Sequence, residues 1–495
     1  MQAIRSILFA IFTVLLLSPI TSGCKTKSAI QTADTTSKDG YNVILKMDDM
    51  KDSLVIMGNY WADRSVAFDT GYYNKKKKQW VFEGEEKAPR GIYFLIFEDR
   101  SMMEFLMNDD QNFTILGDTA DNYTKNLRFE GSDENNRYAD YKRKSMYYGK
   151  KIISLNTQIA AMSPGDAQNE KVEERKEVFG ERIAFMKGFI KDNPNDIFTS
   201  FITAIKPIDV PKISKENGTT DTLGQYHYYK NHYWDNFNFS EDGLVRTPEK
   251  MIFNKINGFF MSVLPQHPDT AIVHAEALLA QTKGHKELDK YFIFRITQIY
   301  DTISLMCMDR VFVHMVDKYY LGDRAYWIDS ATRERMRTAA DKKRYSACGA
   351  TALDLNFYDF DSVPHRLYDN MGTKYTIIAF YDPTCGHCKK EMPILHELYS
   401  RKKTEGMKVY AISAMNKKKE WKKYILEENP TWKDWRNVCD IVPYRIWVDN
   451  REKYNIYANP TLIVLNSKGE VIAKKIPAKN IEPFLEQYEK LQNKP

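Results

Sequence analysis

Cysteine is scarce in this chain, with six residues in 495, which excludes a small scaffold held together by disulfides. Glycine (23) and proline (18) are sparse as well, so the chain is neither collagen-like nor of low complexity, and it leans towards helix. An excess of one charge is also missing. Lys and Arg number 72 against 66 Asp and Glu, leaving +6, too little for the concentrated basic face by which nucleic acid is bound. The runs Lys75–Lys78 and Lys417–Lys419 read as solvated turns or helix faces. No stretch reaches the roughly 20 apolar residues of a spanning helix. What is present is ample material for cores, 43% hydrophobic residues, and a length that suggests about three domains.

The N-terminus reads as an address. Arg5 precedes the apolar run Ile7 to Leu17, and Thr21-Ser22-Gly23 leads into Cys24. A charged start, a short apolar stretch and a small-residue exit describe a secretory signal peptide over residues 1–23. A Cys after small residues resembles the bacterial lipoprotein box, which makes Cys24 the lipid-attachment residue. Thr21 stands where that box usually has Leu, so plain cleavage after Gly23 is the alternative. Residues 24–40 are polar and read as a tether. The expected location is the bacterial cell envelope, periplasm-facing or on the outer membrane.

From Tyr41 to Gly131 the period is two. Val43–Leu45, Leu54–Ile56, Trp80–Phe82, Ile92–Phe97 and Phe113–Leu116 are short β-rich runs, with turns expected at Gly71–Asn74 and Asn108–Asp110. This predicts an antiparallel β domain, a sandwich or meander, over 41–131. It resembles the DUF4369 domain found on secreted thioredoxin-like lipoproteins. From 132 to 345 the period becomes 3.6. Tyr138, Tyr141, Tyr148, Ile152, Leu155, Ile159 and Met162 form one stripe. Further helices are expected at about 168–192, 247–263, 268–283, 286–300 and 303–320, with 206–220 a loop. His227 and His232 are five apart and off a common helix face, which suits aromatic packing better than a metal pair. Cys307, among Leu305, Met306 and Met308, reads as a buried apolar thiol. This region resembles DUF5106, which implies a domain and no chemistry.

The last third, 350–495, carries the chemistry. Tyr375–Tyr381 is a continuous apolar run, as a buried central strand should be. Asp382-Pro383-Thr384 breaks it, and Cys385-Gly386-His387-Cys388 opens an amphipathic helix. The N–H groups and positive dipole end of a helix stabilise a thiolate, and His387 is expected to help by charge or hydrogen bond. Two intervening residues place both sulfurs on one turn, where a disulfide can close or open. Zinc needs two further ligands, and no second paired-Cys motif exists, so no metal is expected. No Gly-x-Gly-x-x-Gly run occurs, so no flavin or nicotinamide cofactor is expected either.

The strand–Cys-x-x-Cys–helix unit, the run Cys388-Lys389-Lys390-Glu391-Met392-Pro393 and the triplet Asn459-Pro460-Thr461 before the strand Leu462–Leu465 together resemble the TlpA/ResA-like thiol-disulfide oxidoreductases of the thioredoxin superfamily. The fold class that follows is multidomain α+β, with a thioredoxin-like α/β domain at the C-terminus. The resemblance implies that Cys385 attacks, that Cys388 resolves, and that Pro460 follows a cis bond. Gly386, His387, Asn459, Pro460 and Thr461 would tune the disulfide or shape the substrate groove. Glu391, three residues past Cys388 on the same helix face, would accept a proton if burial raises its pKa; the alternative is a solvated surface acid. Ala379 stands where thioredoxin has a buried Asp. The Gly-His pair looks like that of protein disulfide isomerase, so the direction of electron flow stays open. Tyr381, Asp382 and Thr384 are expected at the rim, though packing alone explains them equally well; Cys348 and Cys439 read as buried or idle thiols, the alternative being an extra redox partner. Partners implied are cysteine-containing envelope or secreted proteins, a membrane electron donor or acceptor, and the membrane itself through the lipid. The rival reading is a non-enzymatic surface lipoprotein that binds glycan or protein and uses the thioredoxin unit as a scaffold.

Overall fold

The computed structural model describes residues 40–492 apart from 51, 120–122, 124, 304, 416 and 440–449. The signal peptide, Cys24 and residues 24–39 of the tether lie outside the described residues. The expected class is observed: β sheets, then helices, then an α/β sheet.

The β region is a sandwich of two four-stranded sheets. One has the order β4 (Trp80–Gly84), β1 (Tyr41–Met47), β7 (Asn112–Gly117), β8 (Arg128–Glu130); the other has β3 (Arg64–Tyr72), β2 (Leu54–Trp61), β5 (Gly91–Ile96), β6 (Met102–Met107). Alternation does what period two requires: Val43, Leu45, Trp80 and Phe82 of the first sheet meet Val55, Met57, Tyr93, Leu95 and Phe105 of the second. The expectation of a purely antiparallel domain needs correction, because β1 and β7 pair in parallel. Period two shows which face is apolar and carries no information on the direction of a partner 70 residues further along the chain. The turn expected at Gly71–Asn74 also moves. β3 runs through Tyr72, and Asn74 Oδ1 accepts from the N–H groups of Lys76 and Lys77, both at 3.1 Å. Gly71 serves close packing there, since a Cβ would lie 2.7 Å from the Phe82 ring.

β5 is buried on both faces. Tyr93 and Leu95 enter the sandwich core, while Ile92 joins Leu106, Tyr138, Ile197 and Leu244 in the core of the helical region. Backbone bonds continue the junction: Ile92 N–H donates to Arg246 O at 2.8 Å and Ala62 N–H to Val245 O at 2.7 Å. Helices at Asp133–Ala161, Asp166–Asp192, Met251–Gly258, Pro268–Gln281 and Lys286–Thr302 match the expected positions closely. The aromatic segment packs as a seam, with Trp234 against Phe237, Phe259 and Phe292. The helix expected from 303 begins only at Asp309. Residues before it form a loop because Cys307 has a left-handed backbone (φ 70°) and is tied by a disulfide to Cys348.

That disulfide corrects the reading of Cys307 and Cys348 as thiols. Their Cα atoms are 5.1 Å apart across 41 residues of sequence, an approach made by two regions packing together. Lys474, on the last strand of the C-terminal sheet, reinforces the junction. It is buried, pairs with buried Asp309 and donates to Ser346 Oγ at 3.1 Å.

The C-terminal sheet has the order β10 (Pro364–Arg366), β9 (Asn356–Tyr358), β13 (Arg436–Cys439), β12 (Met407–Ser413), β11 (Tyr375–Tyr381), β14 (Thr461–Asn466), β15 (Val471–Lys474). β11 is central, parallel to β12 and antiparallel to β14, and every one of its residues is buried. Ile377, Ala379 and Tyr381 face one core with Cys388, Met392 and Leu395 of the Gly386–Lys402 helix and Ile481 of the Ala478–Gln492 helix. Ile378 and Phe380 face the opposite core.

Removing one partner of a buried ion pair leaves the other charge uncompensated. We expect Asp309→Ala to destabilise the protein by about 3–5 kcal/mol, measured by urea unfolding. Asp309→Leu combined with Lys474→Met should recover most of the loss.

Candidate active site

β11 ends at Tyr381, and a tight turn carries the chain into the helix. Asp382 builds that turn. Its Oδ1 accepts from Thr384 N–H at 2.8 Å and Thr384 Oγ1 at 2.7 Å, and its carbonyl accepts from Cys385 N–H at 3.1 Å. Cys385 is the N-cap, extended at φ −76° and ψ 126°, and its carbonyl accepts the first helical bond, from Lys389 N–H at 3.1 Å. The expected placement at a strand-to-helix junction is therefore observed.

The two thiols are unbonded and differ in setting. Cys385 is half-exposed and its pKa is lowered, foremost by the backbone N–H of Cys388, with further help from the Cys388 thiol and the His387 N–H; Asp382 opposes. Cys388 is fully buried, and burial pushes its pKa up to about 12, although Asp382 N–H donates to its sulfur at 3.3 Å. The foremost contribution to the lowered pKa is a backbone donor. The helix start aims N–H groups at the sulfur, while the His387 residue is exposed on the groove wall.

Facing the helix start is the segment before β14. The Asn459–Pro460 bond is cis, and the Asn459 carbonyl accepts from the Cys385 thiol at 3.5 Å. Arg451 donates to Asn459 Oδ1 at 2.9 Å and Thr461 Oγ1 to Ala458 O at 2.7 Å, which holds the segment in place. Beside it lies a groove of about 420 Å³ lined by His387, Glu391, Tyr457, Asn459, Pro460, Thr461, Lys475, Ile476 and Pro477. Gly386 is exposed, with open space around it. Glu391 is half-buried on this wall, and its Oε2 accepts from Ala478 N–H at 2.7 Å, at the first residue of the last helix. Tyr381 is buried and its hydroxyl accepts from Trp421 Nε1 at 3.2 Å, so it supports the site from beneath and does not form the rim expected of it. Cys439 is buried in the same core.

Arg451, Tyr457, Ile476 and Pro477 carried no signal in the sequence. Each lies in a segment that is unremarkable alone and meets the cysteines only through the sheet.

This geometry is that of a thioredoxin-like domain. Residues 372–471 match the family described as Thioredoxin-like, and residues 170–346 match the domain of unknown function DUF5106. Thiol-disulfide oxidoreductase ResA of Geobacillus kaustophilus is 28% identical over 152 residues, covering 29% of this chain and 80% of that protein. The ResA of Geobacillus thermodenitrificans is 27% identical over 139 residues, covering 27% and 71%. Among solved structures, a domain of a possible thiol-disulfide isomerase from Cytophaga hutchinsonii is 36% identical, covers 30% of this chain and 97% of its own, and has a TM-score of 0.27. The C-terminal region is thus thioredoxin-like and similar to thiol-disulfide oxidoreductases.

Reactivity should separate the two sulfurs. Thiolate fraction rises with pH, so a lowered pKa moves the rise to lower pH than for a free cysteine, about 8.5. Iodoacetamide should label Cys385 on that early curve and leave Cys388 unlabelled up to about pH 9, because a thiol with so high a pKa stays protonated. Peptide mass spectrometry reads both; equal labelling would contradict the assigned asymmetry.

Proposed function

We propose that the protein is an extracytoplasmic thiol-disulfide oxidoreductase, held to the membrane through Cys24, that acts on protein disulfides and dithiols through Cys385 and Cys388. The observation that carries this is the opposed setting of the two sulfurs, one half-exposed with lowered pKa, the other buried with raised pKa. The first suits a nucleophile, the second a resolving thiol that acts once the first is engaged.

In the reducing direction the Cys385 thiolate attacks one sulfur of a substrate disulfide. The substrate S–S bond breaks, a Cys385–substrate disulfide forms, and the leaving substrate thiolate takes up a proton. Cys388 then loses its proton and attacks the sulfur of Cys385, releasing the second substrate thiolate and closing the enzyme disulfide. Two electrons pass from protein to substrate. Glu391, on the wall of the same groove, is the proton acceptor for Cys388 in this scheme. His387, Asn459, Pro460 and Thr461 shape the surface where the substrate cysteine lies, and Gly386 leaves room for its approach. Run backwards, the same steps oxidise a dithiol, and the reduction potential selects between them. Partners are cysteine-containing envelope or secreted proteins, with a membrane component that returns or removes electrons. In this scheme the electrons pass between sulfur atoms alone.

Insulin reduction with dithiothreitol should be accelerated by the wild type and fall to the uncatalysed rate with Cys385→Ser. Cys388→Ala should accumulate mixed disulfides with envelope proteins, visible on non-reducing gels. Equal insulin rates for wild type and Cys385→Ser would overturn the activity.

A further inference from the structure

The loop that carries Cys307 belongs to the helical region, yet it is anchored to the thioredoxin-like region at Cys307 and again at Asp309. The disulfide ties it to Cys348, whose sulfur lies 3.8 Å from the Ile472 carbonyl on β15. Two residues further, Asp309 pairs with Lys474 at the end of the same strand. Just before these anchors, Leu305 and Met306 are 47% and 36% exposed. They line a second groove, of about 460 Å³, with Phe484 of the last helix and the polar side chains of Lys474, Asn480 and Gln487.

This groove continues the catalytic one. Lys475, Ile476 and Pro477 line both, so the turn after β15 is a shared ridge between Pro460 and His387 on one side and Leu305 and Met306 on the other. Lys475 holds that ridge in a left-handed backbone (φ 54°), with its N–H donating to Leu462 O at 2.8 Å beside the active-site strand.

We propose that Leu305 and Met306 form an apolar subsite of the substrate groove, so that the helical region selects polypeptides with an apolar side chain flanking the target cysteine. The occupant follows from continuity with the catalytic groove, from the apolar walls Leu305, Met306, Ile476 and Phe484, and from the adaptability of a methionine at a binding surface. The proposal rests on the thiol-disulfide activity assigned above.

The test uses the reduced full-length chain and three probes: a peptide disulfide with Leu and Phe flanking the cysteine, the same peptide with Gly and Ser flanks, and 2-hydroxyethyl disulfide. The wild type should favour the apolar peptide over the Gly/Ser peptide by about tenfold or more in kcat/KM. In L305D/M306D this ratio should fall to about one, with the loss in KM and not in kcat. F484E, which changes the opposite wall, should lower the same ratio and keeps the test decisive if the double variant does not fold. A wild type with no preference, or variants that retain it, would overturn the subsite. A wild type inert towards 2-hydroxyethyl disulfide as well would overturn the underlying activity.

Discussion

The sulfur of Cys385 is stabilised foremost by a backbone N–H at the start of one helix, with the Cys388 thiol beside it, and the domain is arranged to keep that start in place. β11 is buried along its whole length and delivers the chain to the turn. Asp382 folds the turn with its side chain. Met392, Leu395 and Leu398 anchor the helix against the sheet. A helix terminus has N–H groups without intrahelical partners wherever it occurs. Here the extended N-cap residue is itself a cysteine, so those donors find a sulfur. Were the helix to begin one residue earlier or later, the same four residues would lose this property.

The second sulfur is governed by the opposite influence. Cys388 points into the core shared by Tyr381, Trp421 and Leu395, and burial makes its charged form costly. Three residues along one helix therefore separate a sulfur favoured as thiolate from one favoured as thiol. In the proposed activity such a pair would act in order, because the exposed sulfur would meet a substrate before the buried one.

The rest of the chain is joined to this domain more firmly than a string of modules would be. β5 contributes one face to the sandwich and the other to the helical core. A disulfide and a buried ion pair then lock the helical region to β15. The consequence for function is positional. The turn that leaves β15 is also the ridge beside the active site, so anything that fixes β15 fixes one wall of the groove.

Local patterns in the sequence determined much of this protein. The change of period from two to 3.6 placed the β domain and the long helices, and the apolar run Tyr375–Tyr381 followed by Cys-x-x-Cys placed Cys385 at a helix start. These features depend on residues within a turn or two of each other, so they are legible in order along the chain. Tertiary structure alone decided the parallel pairing of β1 with β7, the bonding of Cys307 to Cys348, the contact of Glu391 with Ala478, and the meeting of Arg451 and Ile476 with the site. Each joins segments that no periodicity links, because side-chain alternation specifies a face and leaves its partner to be chosen when the whole chain packs.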